Sequence, residues 1–256
     1  MDDGKEYLVE SRLQPLARDE GFDSLDGYID AVRAQPVANG RHTKIVDALT
    51  TNETFFFRDH HPFEALRKHI IPELMLRNAT TRTLNICSAA CSTGQEPYSI
   101  AMMLLKEFPD LASWNVRITA TDISDRVLAQ AETGRYSQFE VNRGLPAPYL
   151  IRFFAKDGSD WRIKEDVRNM IRFQPLNLLA SWATIPRCDV VFLRNVLIYF
   201  DVETKRDLFD RMKQVMNPDA SLFLGGGETI VGIHADFLPV GYDSATAFKV
   251  AGPSSN

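Results

Sequence analysis

The chain has 256 residues, of which 45% are hydrophobic and 25% are charged, and this composition is typical of a folded protein and not of a disordered one. Its formal net charge of −5 argues against a nucleic-acid-binding protein that depends on a broad basic face. No apolar run approaches the roughly 18–20 residues that cross a bilayer, so we expect no membrane insertion.

The first part of the sequence is predicted to be helical. Residues 1 to about 60 carry apolar residues at helical spacing and no convincing strand, with breaks at Gly21, Pro36 and Gly40. A longer helix is predicted over HPFEALRKHIIPELMLRN (61–78), with Pro62 near its start. We therefore expect an N-terminal helical domain with a linker over residues 1–60 and a second domain over residues 61–256.

From residue 82 onward, short apolar segments alternate with amphipathic ones. The predicted strands are RTLNIC (82–87), VRITATD (116–122), CDVVFLRN (188–195), ASLFLGG (220–226) and ATAFKV (245–250). Helices are predicted from Pro97 to about Phe108, over SDRVLAQAETG (124–134) and over DVETKRDLFDRMKQVMNP (201–218). Gly134 would end the second of these helices, while Asp201 would cap the start of the third and Pro218 would close it. The alternation predicts an α/β fold with a doubly wound, mainly parallel sheet.

One segment, at about residues 136–172, interrupts this alternation. Tyr149–Phe154 and Trp161–Lys164 are predicted as two strands around a turn at Asp157–Gly158. The segment is either a small antiparallel β insert at one edge of the main domain or an excursion without function.

The three cysteines, Cys87, Cys91 and Cys188, are too few for a disulfide framework, and no second ligand pair follows at zinc spacing. We expect small buried thiols in a reducing cytosol and no metal site.

The loop after the first predicted strand, within CSAACSTGQEPYSIAM (87–102), is made of small residues and leads to an acidic residue, Glu96, just before the helix predicted from Pro97. Such a loop lets the backbone approach a ligand closely, but it lacks the G-x-G-x-x-G of dinucleotide sites. Glu96 would repel a diphosphate and attract a cationic amino acid. Asp122, at the end of the second strand, either holds the hydroxyls of a ribose or caps the next helix. A ribose without a phosphate beside a positive charge suggests S-adenosylmethionine.

Five motifs occur together in a characteristic order: TNETFFFRD (51–59), SAACSTGQEPYSIAM (88–102), TATDIS (119–124), FQPLNLL (173–179) and FLRNVLIYFD (192–201). From about residue 10 to 250, the sequence resembles the CheR family of chemotaxis receptor methyltransferases. The resemblance implies the class I S-adenosylmethionine-dependent methyltransferase fold and a cytoplasmic location. It implies transfer of a methyl group to glutamate side chains of methyl-accepting chemotaxis receptors, giving methyl esters and S-adenosyl-L-homocysteine. The sequence GGGETIVG (225–232), which begins within the predicted strand ASLFLGG, departs from the His-Ser-Glu-type sequence that is common in this loop of the family.

The resemblance also implies which residues contact the cofactor. They are Asn52, Thr54 and Arg58 at its methionyl end, Glu96 at its ammonium group, Asp122 at its ribose, Asn177 and Leu178 beside its adenine, and Arg194 and Asn195 near its sulfur. For Arg194, which lies at the end of a predicted strand, the alternative is a purely structural role. The phenylalanines at 55–57 are expected to pack in a hinge and not to stack on a base.

Arg58 and Tyr199 are the implied catalytic residues. A glutamate carboxylate is already ionised near pH 7, so its methylation needs no general base, and the enzyme has to align the reactants and exclude water. Arg58 would orient the carboxylate through a fork of hydrogen bonds, and Tyr199 would lie beside the methyl group. The alternative for Tyr199 is a core tyrosine whose hydroxyl finds a partner.

Two other functions stay open at this point. One is a methyltransferase of the same fold that acts on a nucleic-acid base or a small molecule, which the lack of a basic run disfavours for nucleic acid. The other is a non-catalytic cofactor-binding signalling module, which the presence of Arg58 and Tyr199 disfavours.

The implied partner is the cytoplasmic helical domain of the receptors. Some members of the family have a longer glycine-rich loop in the antiparallel subdomain and bind a short peptide at the receptor C-terminus. Here the turn FFAKDGSDWRI is compact, and charged residues surround it (Lys156, Asp157, Asp160 and Arg162). We therefore expect no tight binding of a receptor-tail pentapeptide. Recognition would use the helical N-terminal region, with Arg33, Arg41 and Lys44 either contacting an acidic receptor helix or forming a solvated face.

Overall fold

The computed structural model describes residues 6–34 and 40–251, and the chain separates into two compact units, Met1–Glu53 and Thr54–Asn256. Within the described residues of the N-terminal unit there are three helices: α1 (Glu6–Asp19), α2 (Leu25–Arg33) and α3 (Gly40–Leu49). Gly21, at a φ of 82°, follows the end of α1, and Ser24 caps α2 by accepting a hydrogen bond from the Gly27 N–H at 3.2 Å. The predicted helical character is thus confirmed for these residues, while the predicted break at Pro36 lies outside them.

The core of this unit is small. Buried Ala17, Tyr28 and Val32 pack with half-buried neighbours on all three helices. On the surface, Glu20 pairs with two of the predicted receptor-contacting residues: its carboxylate lies 3.1 Å from Arg41 Nε and also contacts Lys44. The hydrogen bonds from Lys44 and Arg41 lower the pKa of Glu20.

The second unit contains the remaining helices and all the strands of the described chain. In chain order they are α4 (His61–Ala65), a π-helical turn (Leu66–Ile70), α5 (Ile71–Arg77), β1 (Thr83–Ala89), α6 (Gln95–Glu107), a 3₁₀ turn (Pro109–Ser113), β2 (Asn115–Asp122), α7 (Asp125–Thr133), β3 (Arg135–Tyr136), α8 (Gln138–Asn142), α9 (Ala147–Phe153), β4 (Phe154–Asp157), β5 (Asp160–Ile163), α10 (Glu165–Arg168), β6 (Ile171–Pro175), β7 (Cys188–Leu193), a 3₁₀ turn (Leu197–Tyr199), α11 (Val202–Val215), β8 (Met216–Leu224), β9 (Phe237–Tyr242) and β10 (Ala245–Val250).

The main sheet has seven strands in the order β6-β2-β1-β7-β8-β10-β9. The first five are mutually parallel, whereas β10 is antiparallel to both β8 and β9. The predicted doubly wound, mainly parallel sheet is therefore confirmed. Because β1, β2, β7 and β8 run in the same direction, the loops that follow them leave the sheet at one edge, where ligands of such folds bind.

The sheet is covered on both faces. Ile86, on β1, and Phe192, on β7, belong to one apolar cluster, while their neighbours Cys87 and Val191 belong to another. Successive residues of a strand point to opposite faces, so both faces of these central strands are buried. All six residues of β7 are buried, which explains the almost wholly apolar sequence that predicted it.

The small antiparallel sheet predicted near residues 136–172 is confirmed, in the order β3-β5-β4. The prediction of a strand over Tyr149–Phe154 was wrong, because Ala147–Phe153 is helix α9 and β4 begins at Phe154. Pro146 precedes this helix and Pro148 lies in its first turn, where a missing N–H costs nothing. The turn after β4 is compact, with Gly158 at a φ of 65°.

Four other elements differ from or refine the predictions. The helix α11 begins as predicted, with the Asp201 carboxylate accepting from the Thr204 N–H at 2.8 Å, but it ends at Val215 and Pro218 lies inside β8. Strands β6 and β9 were not predicted; both lie at edges of the sheet and contain proline, which is tolerated there. The long predicted helix is present over α4, the π turn and α5, with Pro72 just after the π turn.

The three cysteines are buried and unbridged. A contact with Cys188 and burial raise the pKa of Cys87, and burial raises the pKa of Cys91. Among residues 6–34 and 40–251, no group of three or more His, Cys, Asp and Glu side chains is arranged to hold a metal ion. No helix in that part of the chain has both the length and the apolar character needed to span a membrane.

Candidate active site

The loop between β1 and α6 has an unusual backbone. Ala90, Ser92 and Gly94 have φ values of 56°, 51° and 92°. Positive φ is costly for residues other than glycine and needs surrounding contacts to hold it. A Cβ on Gly94 would lie 2.9 Å from the Cβ of Ala131, so the loop passes too close to α7 for any side chain here. Successive N–H groups in such alternating conformations can form a concave surface for a ligand.

Asp122 holds this loop in place. It is buried at the end of β2, and its Oδ2 accepts a hydrogen bond from the Ser92 N–H at 2.9 Å. Its Oδ1 accepts from the Ser124 N–H at 3.0 Å, while Ser124 itself caps α7 through Val127. The N-cap of α7 is therefore Ser124 and not Asp122. Asp122 instead joins the loops that follow β1 and β2. Its contact with a ribose stays a prediction.

Glu96 lies in the first turn of α6, and its carboxylate is buried. Its Oε1 accepts a hydrogen bond from Ser88 Oγ at 2.8 Å, and its Oε2 pairs with Arg194 Nη1 at 2.9 Å. The carboxylate that was predicted to face the cofactor's ammonium group thus already has a guanidinium beside it.

Arg194, just beyond β7, joins three segments of the chain. Besides Glu96, its guanidinium contacts the Arg58 carbonyl oxygen at 2.9 Å and Asp59 Oδ2 at 2.6 Å, all through Nη1 and Nη2. Its side chain is 2% exposed, and its Nε has no hydrogen-bond partner among the described residues. Arg194 therefore has a structural role, because it joins three segments of the chain. One buried N–H of its guanidinium, at Nε, is still without an acceptor among the described residues.

Phe56 and Phe57, within the segment TNETFFFRD, are buried in the core of the second unit. Phe56 stacks edge-on against Tyr136 at 5.0 Å, and the Phe57 N–H donates to Ser99 Oγ at 3.0 Å. Arg58 is half-buried, with its guanidinium 5.5 Å from the ring of Phe55. Phe56 and Phe57 therefore serve packing, as expected, and the next residue, Arg58, contributes its carbonyl oxygen to the Arg194 network.

The other two predicted residues of this motif lie on either side of the unit boundary. Asn52 belongs to the N-terminal unit, where its amide donates to Thr50 Oγ1 at 3.5 Å. Thr54 is the first residue of the second unit and is half-buried.

Sequence reasoning missed Glu228, in the loop after β8. Its Oε2 accepts hydrogen bonds from the N–H groups of Asn195 and Gly225, both at 2.8 Å, and its Oε1 accepts from the Leu197 N–H at 2.7 Å. Asn195 has a φ of 59°. The signal available in the sequence was the glutamate that follows the three glycines of GGGETIVG, at the end of a predicted strand.

Tyr199 closes the 3₁₀ turn that begins at Leu197, and it is 56% exposed. The alternative of a core tyrosine was therefore wrong. Asn177 and Leu178 follow β6, the strand beside β2, so they leave the same edge of the sheet as Asp122. Asn177 Oδ1 accepts from the Leu179 N–H at 2.9 Å, and Leu178 is buried, with its carbonyl accepting from Trp182 Nε1 at 3.0 Å.

A cleft of about 360 Å³ lies next to this site. Asp59 and Glu228 line it together with apolar residues such as Pro62 and Phe248, whereas Glu96, Asp122 and Tyr199 do not. Of these two carboxylates, Asp59 binds Arg194 and Glu228 binds the loop after β7.

Comparison with known proteins identifies the family. The family "CheR methyltransferase, SAM binding domain" matches residues 52–245, and "CheR methyltransferase, all-alpha domain" matches residues 1–50. Similar proteins include the chemotaxis protein methyltransferase Cher2 of Pseudomonas putida, 41% identical over 235 residues (90% of this chain and 85% of that protein). Chemotaxis protein methyltransferase 1 of Pseudomonas aeruginosa is 43% identical over 230 residues (88% and 83%). The chemotaxis protein methyltransferase of Vibrio parahaemolyticus is 40% identical over 255 residues (97% and 90%).

S-adenosylmethionine is the cofactor that this family binds, and the residues at the sheet edge fit it. The unpaired Nε of Arg194 is a buried donor that suits a carboxylate such as that of a methionyl group. The buried carboxylates of Glu96 and Asp122, which follow β1 and β2, suit an ammonium group and sugar hydroxyls.

Proposed function

Because the chain belongs to the CheR methyltransferase family, and is therefore an S-adenosylmethionine-dependent methyltransferase of chemotaxis, we propose that it methylates glutamate side chains of methyl-accepting chemotaxis receptors. The products are glutamyl methyl esters and S-adenosyl-L-homocysteine. The reaction takes place in the cytoplasm, on the helical cytoplasmic domain of the receptor.

The observation that carries this proposal is the meeting, at one edge of the sheet, of Glu96, Asp122, Arg194 and the turn that ends at Tyr199. These groups follow β1, β2 and β7, which are adjacent strands. When bound, S-adenosylmethionine supplies the methyl group as an electrophile on a sulfonium. The proposed cofactor contacts are Asn52, Thr54, Arg58, Glu96, Asp122, Asn177, Leu178, Arg194 and Asn195.

The chain's own part in the chemistry is positioning. The acceptor glutamate is ionised at neutral pH, so no group of the enzyme has to remove a proton from it. Arg58 orients the incoming carboxylate by hydrogen bonds. Tyr199 is 56% exposed, and it covers the reacting groups when the receptor helix is bound, which excludes water.

Recognition of the receptor does not depend on its C-terminal peptide. A peptide added as a strand would pair with β4, which is an edge strand of the small sheet but is four residues long. Lys156, on β4, lies over the ring of Trp161 at 4.3 Å, and Arg135 pairs with Asp157 and Asp160, each at 3.5 Å. A short, charged edge disfavours added strands.

Transfer of label from S-adenosyl-[methyl-³H]methionine to a purified receptor cytoplasmic fragment tests the function. We expect incorporation into the fragment and release of volatile methanol under mild base, as for a methyl ester. A fragment whose acceptor glutamates are replaced by alanine is the matched control and should stay unlabelled. Base-stable label, or label on nucleic acid in a competition mixture, contradicts the glutamate assignment, and cofactor binding without transfer supports a non-catalytic module.

A further inference from the structure

The three hydrogen bonds to Glu228 form a clamp on the loop after β7. The carboxylate accepts from N–H groups that lie 31 and 33 residues earlier in the chain, at Leu197 and Asn195, and from the N–H of Gly225, the residue directly after β8. One side chain thus joins the ends of two adjacent strands and satisfies backbone donors that the sheet does not pair.

The loop needs such a clamp because its backbone is unfavourable. Asn195 has a φ of 59°, a conformation that side-chain-bearing residues adopt at an energetic cost. The N–H of Leu197 opens the 3₁₀ turn that ends at Tyr199. The clamp therefore fixes both the residue proposed to line the cofactor and the turn that carries the proposed catalytic tyrosine.

The carboxylate of Glu228 lies so close to the backbone of residue 225 that only glycine fits there. A Cβ on Gly225 would lie 2.7 Å from Glu228 Oε2 and 2.7 Å from Asn195 Nδ2. By contrast, a Cβ on Gly227, two residues on, would meet nothing within 4 Å. The glycine at 225 is thus required by the approach of the clamp, and the glycine at 227 is not.

Charge and acceptor number explain why the residue is a glutamate. A carboxylate has two oxygens that accept and no hydrogen to donate, so it can take all three N–H groups. A glutamine of the same shape turns an NH₂ group toward either Leu197 or the Asn195–Gly225 pair, which puts donor against donor. An aspartate is one methylene shorter and cannot reach both sides.

We infer that Glu228 is a positioning residue for methyl transfer, which holds the loop from Asn195 to Tyr199 in the shape that binds the cofactor and covers the reacting groups. The inference rests on the proposed function for the roles of Asn195 and Tyr199. Glu228 acts through the backbone of this loop and not through contact with the reacting atoms.

The test compares two variants with matched controls. Glu228→Gln removes acceptor capacity at constant shape, and its control is Glu203→Gln, at an exposed position in the first turn of α11. Gly225→Ala displaces the clamp while keeping the glutamate, and its control is Gly227→Ala. For each protein, calorimetry with S-adenosylhomocysteine gives Kd, a receptor-fragment assay gives kcat and KM, and thermal unfolding gives Tm.

For Glu228→Gln and Gly225→Ala we expect a loss of kcat of about tenfold to hundredfold, since small misplacements of catalytic groups cost this much. Kd should rise several-fold, KM for the receptor fragment should stay near its wild-type value, and both control variants should match the wild type. Wild-type kcat and Kd in a variant whose Tm alone is lowered overturn the inference, and so does failure of both variants to fold, because the role is then structural. If the wild type does not methylate receptors, the proposed function fails, while the calorimetric comparison still decides the role of Glu228.

Discussion

Arg194 and Glu96, 98 residues apart in the sequence, form a buried ion pair with 2.9 Å between Nη1 and Oε2. Glu96 lies in the first turn of α6, which follows β1, and Arg194 follows β7, so the pair joins the segments after two adjacent strands. A second carboxylate, Asp59, binds the same guanidinium at 2.6 Å. The central charge of the candidate site is thus one arginine held between two acids.

Removing this arginine should destabilise the second unit strongly. Arg194→Met leaves Glu96 buried without its partner, which costs about 3–5 kcal/mol of unfolding free energy for a buried ion pair. Urea unfolding measures the change. The control is Arg126→Met, at an exposed position on α7, and a loss no larger than that of this control contradicts the prediction.

Asp122 is the second group to test, through cofactor affinity. We expect Asp122→Ala to weaken S-adenosylhomocysteine binding by about 2–3 kcal/mol, the scale of hydrogen bonds to a charged acceptor, because it removes the proposed ribose contact and releases the Ser92 N–H. Titration calorimetry provides the measurement. Asp125→Ala, at an exposed position three residues on, should bind like the wild type; equal affinities in the two variants sink the ribose assignment.

Arg58 and Tyr199 should affect turnover more than cofactor binding. If both act on the reacting groups, Arg58→Ala and Tyr199→Phe lower kcat while the Kd of S-adenosylhomocysteine stays nearly constant. The chain offers a matched control in Arg143, whose guanidinium lies 4.8 Å from the same Phe55 ring as that of Arg58. A loss confined to cofactor binding, or an equal loss of kcat in Arg143→Ala, removes Arg58 from the catalytic residues.

Glu64 gives the second unit a specific pH dependence. Hydrogen bonds from Arg67 and then Lys68 lower the pKa of Glu64 from 4.5 to about 2. Its contribution to stability is therefore complete above pH 4.5 and is lost as the pH falls toward 2.

For Glu64→Gln we expect a loss of unfolding free energy of about 1 kcal/mol at pH 7, with allowance for solvent screening. The difference from the wild type should shrink as the pH falls below about 4.5. Urea unfolding at a series of pH values measures this, and a difference that does not vary with pH would falsify the ion-pair explanation.

The last prediction concerns the receptor tail. We expect no micromolar binding when the protein is titrated with a pentapeptide from a receptor C-terminus, because β4 is short and charged at its edge. The receptor's helical fragment serves as the positive control. Micromolar affinity for the pentapeptide overturns the proposal that recognition is independent of the tail.

Much of the fold was readable from the sequence because its determinants are local. The wholly apolar run of β7 predicted a central strand, since a strand with both faces covered has no polar side. Asp201 caps the start of α11 and Gly134 ends α7, as predicted, because capping depends on residues within one turn. The motifs at Glu96, Asp122 and Arg194 located the sheet edge, since Asp122 and Arg194 lie at the ends of predicted strands and Glu96 follows the loop after another.

Tertiary structure decided what depends on contacts distant in the chain. Strands β6 and β9 exist because neighbouring strands pair with them, although their prolines disfavour strands locally. The residues from Ala147 to Phe153 are helical, although their apolar run read as a strand, since apolar periodicity alone does not separate the two in short segments. The sequence shows that Arg194 and Glu228 are charged, but Glu96, one partner of Arg194, lies 98 residues away, and two of the three N–H partners of Glu228 lie 31 and 33 residues away. Only the packed sheet brings these charges to such distant groups.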